Sequence, residues 1–395
     1  MHRRHLLKLA ALGGPLVVAG RAFAAPQTST RLLVVFLRGA YDAANVLVPL
    51  TSSLYREARP TIAIARPDPA NPDAALPLTA DWGLHPALKE TILPLWAKRQ
   101  VAFVPFAGTD DLSRSHFETQ DSICLGQPLN GPREANSGFM SRLASGLSGV
   151  QPIAFTDQLP LIMRGPGQIP NIGLMHPGRP VADRDKALIQ SMYQGSDLSG
   201  AVSEGFEVQG EVLQSISQEM KAADRGAVSA RGFELAARRI GRLMQGRFNL
   251  AFVDVGGWDT HVGQGGAQGY LAGRLGELGR GLAGFADEIG PADWNDTVVV
   301  VISEFGRTFH ENGGKGTDHG HGTVYWVLGG RVAGGQVLGD EVKVEQASLN
   351  QGRDYPVLNE YRGVLGGLFQ RVYGLPTGRL QSVFPQASPK DLRLV

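Results

Sequence analysis

Residues Asn295 to Trp326 read NDTVVVVISEFGRTFHENGGKGTDHGHGTVYW. The run Thr297–Val301, continued by Ile302, is short, apolar and largely β-branched. Such a run predicts a strand buried on both faces, the kind found in parallel sheets covered by helices. At its carboxyl end the chemistry changes to Ser303, Glu304, Phe305, Gly306 and Arg307. A glycine-rich loop follows, then Asp318, His319, Gly320 and His321, and a second apolar run, Val324–Leu328. Open α/β sheets bind ligands at the carboxyl ends of their strands. Consecutive strands therefore deliver a carboxylate and a His/Asp cluster to one sheet edge.

The same strand-then-chemistry grammar recurs on both sides of this stretch. Upstream, Leu32–Leu37 is a buried-strand run that ends in RGAYDAAN, placing Asp42 just past a strand end, as a ligand or as a turn cap. Arg59 to Pro86, rich in Pro, Asp and Ala, reads as a surface excursion, followed by a helix over Pro86–Lys98 and a strand over Val101–Phe106. Beyond that strand, GTDDLSRSHFETQD begins a helix. Ser113 and Ser115 can cap it. Ser115, beside His116, is also placed for a nucleophile, since helix amides favour an anion. Residues 150–205 read as an irregular cap in which His176 is structural, and Glu207–Gln245 as helix interrupted at Gly226–Gly232. Phe248–His261, FNLAFVDVGGWDTH, is another strand followed by Asp254, Asp259 and His261. The glycine pair before Trp258 lets the chain turn there. A helix over Leu271–Ile289 leads back to the opening strand.

Composition limits the class of molecule. The chain has 395 residues, 43% hydrophobic and 19% charged, enough for a large core. A net charge of +1 offers no field for nucleic acid, which is not an expected partner. Cys124 is the only cysteine, so no disulfide forms within the chain and a thiolate metal site is not expected. Residues 1–24 read as a twin-arginine export signal: Arg3-Arg4 precede a modest apolar stretch and Ala22-Phe23-Ala24 marks a cleavage site. The expected product is a periplasmic or secreted domain spanning 25–395. The twin-arginine translocase would be its partner during export, and no membrane span would remain afterwards.

Seven of nine histidines lie beyond the leader, and His116, His261, His310, His319 and His321 all follow strands. With Asp42, Asp254, Asp259, Glu304 and Asp318 nearby in pattern, they predict a metal site. Carboxylate oxygens and imidazoles together suit divalent ions, one or two of zinc, manganese or calcium.

The leader, VVFLRGAYDAANVLVP, RSHFETQD, DVGGWDTH, VVVISEFGRT and DHGHGT, in that order, resemble an exported domain-of-unknown-function family, number 1501. That family is grouped with the alkaline phosphatase and sulfatase superfamily. The resemblance implies a three-layer α/β/α sandwich with a mostly parallel central sheet. It also implies a metal-dependent hydrolase of phosphate or sulfate esters, acting on a small-molecule or glycan ester. By the resemblance, Asp42 matches the first-strand carboxylate that bridges to the metals, and Asp259 with His261 a later ligand pair. Glu304 stands where that superfamily carries Asp, Phe305 where it carries His, and His319 or His321 matches the late histidine. Ser115, with Ser113 second, takes the nucleophile's position, flanked by His116. Arg114 or Arg307 would face the ester oxygens or pair with a carboxylate. No Cys-x-Pro-x-Arg sulfatase signature is present. Two other functions are compatible with the same residues: an exported metal-binding or envelope-assembly protein without catalysis, and a mononuclear metal oxidoreductase.

Overall fold

The structure is a computed structural model that describes residues 29–131, 133–174, 181–223 and 232–395. The expected export signal, His176 and most of the expected Gly226–Gly232 interruption lie outside the described residues.

Eleven strands are described: β1 (Arg31–Leu37), β2 (Leu47–Pro49), β3 (Leu76–Pro77), β4 (Trp82–Leu84), β5 (Val101–Gly108), β6 (Pro152–Ala154), β7 (Leu250–Val255), β8 (Thr297–Ser303), β9 (Thr323–Leu328), β10 (Gln336–Val337) and β11 (Asn359–Glu360). The helices are α1 (Ala43–Val46), α2 (Leu54–Glu57), α3 (Ile92–Ala97), α4 (His116–Leu125), α5 (Phe139–Gly146), α6 (Asp183–Tyr193), α7 (Ser199–Ala223), α8 (Phe233–Gln245), α9 (Tyr270–Trp294), α10 (Tyr361–Tyr373) and α11 (Thr377–Val383).

The central sheet has the order β10-β5-β9-β8-β1-β7-β6, with β11 also pairing β5. Neighbours run parallel except at β9, which is antiparallel to both β8 and β5. The sheet is thus mixed and mostly parallel. All seven residues of β8 are buried, as its unbroken apolar run requires. Along β1, Leu33, Val35 and Leu37 join one core with helices α8 and α9, while Leu32, Val34 and Phe36 join the opposite core with α5, α10 and α11. Alternation of side chains across a strand divides one apolar run between two helical layers. Among the described residues no helix is long and apolar enough to cross a membrane.

Three expectations need correction. Pro86–Lys98 is not one helix: a 3-10 turn, Pro86–Leu88, precedes α3. Pro94 lacks an N–H and its ring crowds the preceding turn, so it is accommodated only near the start of a helix. The 150–205 stretch contains β6, all of α6 and the start of α7 rather than only irregular chain. The excursion from Arg59 is not all surface, because Arg59 itself is fully buried.

His85 caps the turn at Pro86 and is fully buried, its Nδ1 accepting from the Ala87 N–H at 3.0 Å and its Nε2 lying 3.1 Å from the Gly266 carbonyl. That pattern fits the neutral ring, and burial pushes its pKa down to about 4. The unfolded chain, with a value of about 6.5, binds more protons as pH falls. Stability held by His85 is therefore complete above about pH 6.5 and is lost as pH drops towards 4, up to about 3 kcal/mol. Denaturant unfolding at pH 7.5 and 4.5 should show this loss, and His85→Gln should flatten it. A wild-type slope in the variant would exclude His85 as the cause.

Candidate metal centre

Three strand ends and one helix start converge at the carboxyl edge. After β5 the chain turns through Arg114, at φ 52, into Ser115, the N-cap of α4. His116 is the first residue of that helix, so its ring projects back over the edge. After β7, Gly257 adopts φ 89 and Trp258 is buried, which throws Asp259 and His261 outward. Gly39, at φ 114 after β1, packs so closely that a Cβ would lie 2.7 Å from the Asp259 nitrogen. Its own N–H donates to Glu304 Oε1 at 2.8 Å. Because β9 reverses direction, the segment from Glu304 to Gly322 leaves and re-enters the sheet at this same edge, bringing His319 with it.

The histidine rings are fixed from behind. His116 Nδ1 donates to Glu304 Oε1 at 2.8 Å. His261 Nδ1 donates to Asp318 Oδ1 at 3.1 Å. His319 Nδ1 donates to the Arg114 carbonyl at 2.9 Å. With Nδ1 tied back in this way, each ring turns Nε2 inward, the orientation of metal-ligating histidines. The inward atoms meet around Asp259. Its Oδ1 is 2.9 Å from His261 Nε2 and 3.5 Å from His319 Nε2, and its Oδ2 is 3.4 Å from His116 Nε2. His261 Nε2 and His319 Nε2 are 3.1 Å apart. His116 Nε2 is buried with no hydrogen-bond partner.

Ligand atoms of His116, Asp259 and His319 all lie within 4.8 Å of one another, one possible metal-holding triad among the described residues. His261 Nε2 flanks this triad, 2.9 Å from Asp259 Oδ1 and 3.1 Å from His319 Nε2. Donors at about 2.0–2.1 Å from a tetrahedral ion lie roughly 3.3–3.4 Å apart, close to the 3.4 and 3.5 Å that separate the Asp259 oxygens from His116 Nε2 and His319 Nε2. Three nitrogens and one carboxylate favour zinc, manganese or iron over calcium, which prefers oxygen.

Protonation follows the contacts. The Glu304 hydrogen bond raises His116, against the opposing effect of burial. Burial lowers His319 despite the Arg114 carbonyl. Burial alone would raise Asp259, but the Arg307 hydrogen bond and charge outweigh it, so the group lies below the usual carboxylate range. Glu304 behaves likewise: burial opposes ionisation, and hydrogen bonds from His116, Gln120 and Gly39 override it.

Several expected site residues are placed elsewhere. Asp42, expected as a bridging ligand, is fully enclosed, its oxygens accepting from Arg59 at 2.5 and 3.0 Å and from Gln264 at 2.6 Å. Glu304, expected as a ligand, instead backs His116. His321 is buried away from the triad, its pKa lowered by that burial, with Asp354 and Arg114 as charged neighbours. His310 is exposed beside Gln346, and Asp254 pairs with Arg38 at 2.6 Å. Arg307 donates to Asp259 Oδ1 at 2.6 Å and Arg114 to Asp354 at 3.1 Å, so both guanidiniums hold carboxylates. Ser115 Oγ caps α4, accepting from the Glu118 N–H at a long 3.5 Å, and Ser113 Oγ lies 3.2 Å from Thr119 Oγ1.

Gln120, Gln264, Thr317 and Asn312 belong to the supporting shell and carried no clear sequence signal, with one exception. Gln120 lies four residues after His116, hence on the same helix face. It donates to Glu304 Oε1 at 2.8 Å. The Phe305 ring stacks on His116 at 4.9 Å and lies 5.3 Å from His319, walling one side of the cluster.

A family model described as "Protein of unknown function (DUF1501)" matches residues 29–384. No curated protein matches. Among solved structures, the crystal structure of Ps i-CgsB in complex with k-i-k-neocarrahexaose is similar at 8% identity and a TM-score of 0.39, over 93% of this chain and 76% of that one.

Proposed function

The chain belongs to the DUF1501 family of proteins of unknown function, and from that premise we propose that it is an exported, metal-dependent hydrolase of phosphate or sulfate esters with an alkaline phosphatase-like α/β/α fold. One observation carries the reading: three imidazoles, each tied back through Nδ1, aim Nε2 at a shared point beside an ionised Asp259. Rings anchored through Nδ1 with Nε2 turned to a common carboxylate are the arrangement by which histidines hold a cation, and it supports this reading.

His116, Asp259, His261 and His319 would hold one divalent ion. When bound, such an ion supplies Lewis acidity, polarising an ester oxygen and acidifying a water. The remaining steps fall to the chain's own groups. Glu304 and Asp318 keep His116 and His261 in the donor tautomer and compensate charge at the centre. The first-turn amides of the ten-residue α4 open beside His116, where an anionic ester group is favoured. Ser115 Oγ, loosely engaged by its cap, presents its hydroxyl at that helix end, either as nucleophile or as a donor to the ester. Phe305 keeps water from one flank of the cluster.

A second reading rests on the composition of the triad. His116, His319 and Asp259 form a two-histidine, one-carboxylate set, the ligand type of mononuclear iron oxygenases. Metal content separates the two. The protein purified from the periplasm without chelators should carry about one equivalent of zinc or manganese and turn over aryl phosphates or aryl sulfates. One redox-active iron without ester turnover would favour the second reading. No bound metal would sink both.

A further inference from the structure

Behind the cluster lies a directed chain of buried hydrogen bonds. Arg307 is 4% exposed, and Gln264 and Thr317 are fully buried. Arg307 Nη1 donates to Asp259 Oδ1 at 2.6 Å, while its Nε donates to Thr317 Oγ1 at 3.2 Å and its Nη2 to the Thr317 carbonyl. The Thr317 hydroxyl donates in turn to Gln264 Oε1 at 3.0 Å. Thr260 donates to the same Gln264 oxygen at 2.7 Å, which fixes the amide so that Nε2 donates to Asp42 Oδ2 at 2.6 Å. Asp42 is held by Arg59 through two bonds, and Arg59 also donates to the carbonyls of Thr308 and Phe309, the two residues after Arg307.

We propose that Thr317 and Gln264 are positioning residues: they transmit the fixed geometry of the buried Asp42–Arg59 pair to Arg307, which sets the orientation of Asp259. Arg59 then fixes the backbone just beyond Arg307 while Thr317 holds the Arg307 side chain, which directs the guanidinium at Asp259. That constraint occupies one face of Asp259 Oδ1 and leaves Oδ2 directed at His116 Nε2, 3.4 Å away. It also explains a fully buried ion pair that touches none of the inward histidine nitrogens. Every donor and acceptor named in the chain has a partner, which is the condition under which a buried polar network rigidifies a site rather than loosening it.

The proposal rests on the cluster being a metal centre, and its test separates the two claims. Thr317→Val removes the hydroxyl at nearly constant volume, and Thr317→Ser restores it. Cobalt(II) titration should show Thr317→Val weakened about 10–100-fold, the usual effect of losing an outer-shell partner, with an altered ligand-field spectrum. Thr317→Ser should recover both. In a crystal structure of metal-free Thr317→Val, the Asp259 carboxylate should be rotated from its wild-type position. If Thr317→Val does not fold by circular dichroism, Gln264→Met tests the same link one step further back. Wild-type cobalt affinity together with an unmoved Asp259 overturns the relay and leaves the metal centre standing. If the wild-type protein binds no cobalt, the metal centre falls, and the crystallographic position of Asp259 alone decides the relay.

Discussion

His116→Ala and Asp259→Ala should each lower divalent-metal affinity by more than a hundredfold and abolish ester turnover. The structural argument is that these two residues come from different strand ends and are joined by nothing but the centre they share. Structural zinc sites are worth about 10–16 kcal/mol over four ligands, so one ligand accounts for roughly 3 kcal/mol. His116→Ala also strands Glu304, which then keeps only Gln120, Gly39 and Ser303 as donors to a nearly buried carboxylate. Asp259→Ala strands Arg307 in the same way. Isothermal titration with zinc and with manganese measures the affinity, and metal analysis after dialysis checks it. His310→Ala is the control and should bind as wild type, because His310 contacts Gln346 and not the cluster. Equal binding by all three variants would remove the cluster as the metal site.

Arg59→Met should cost about 3–5 kcal/mol of stability, the usual penalty for leaving a buried charge without its partner. Arg59 is fully buried and donates to Asp42, Asn45, Thr308 and Phe309, with the Tyr55 and Phe309 rings at 5.6 and 5.4 Å from the guanidinium carbon. Asp42 in the variant would keep the Gln264 amide as its side-chain donor. At about 2 °C per kcal/mol for a chain of this size, the melting temperature should fall by roughly 6–10 °C. The double variant Arg59→Met, Asp42→Leu should recover part of the loss, since it removes the orphaned charge. A double variant no better than the single would show that the pair matters for packing more than for charge.

The strands and the post-strand addresses of the clustered residues were legible in the sequence for the same reason, although His116 read there as the neighbour of a nucleophile. β1, β7 and β8 are runs buried on both faces, and His116, Asp259, His261 and His319 follow β5, β7 and β8 in chain order. A local reading sees that much. It could not see which post-strand carboxylate would find a cation in the chain itself. Asp42 has the right address, but its partner is Arg59, inside a stretch whose Pro, Asp and Ala content resembles surface loop. Glu304 likewise sits at a strand end, yet the register of β8 on β1 brings Gly39 to it and the start of α4 brings His116. The reversal of β9 was hidden because an antiparallel strand packed within a parallel sheet has the same unbroken apolar run as its neighbours.

The pairing of β1 has a consequence for when the centre comes into being. Leu32 lies against Leu250 and Arg31 against Thr297, so the first strand waits for both its neighbours until most of the polypeptide has left the ribosome. A nascent chain that has reached His116 holds one member of the cluster, with Asp259, His261 and His319 still to come. An ion held by the proposed centre would therefore arrive at a finished molecule rather than seed its folding. Under the proposed export of an already folded protein, the choice of metal would then fall to the cytoplasm, where the completed chain meets its supply.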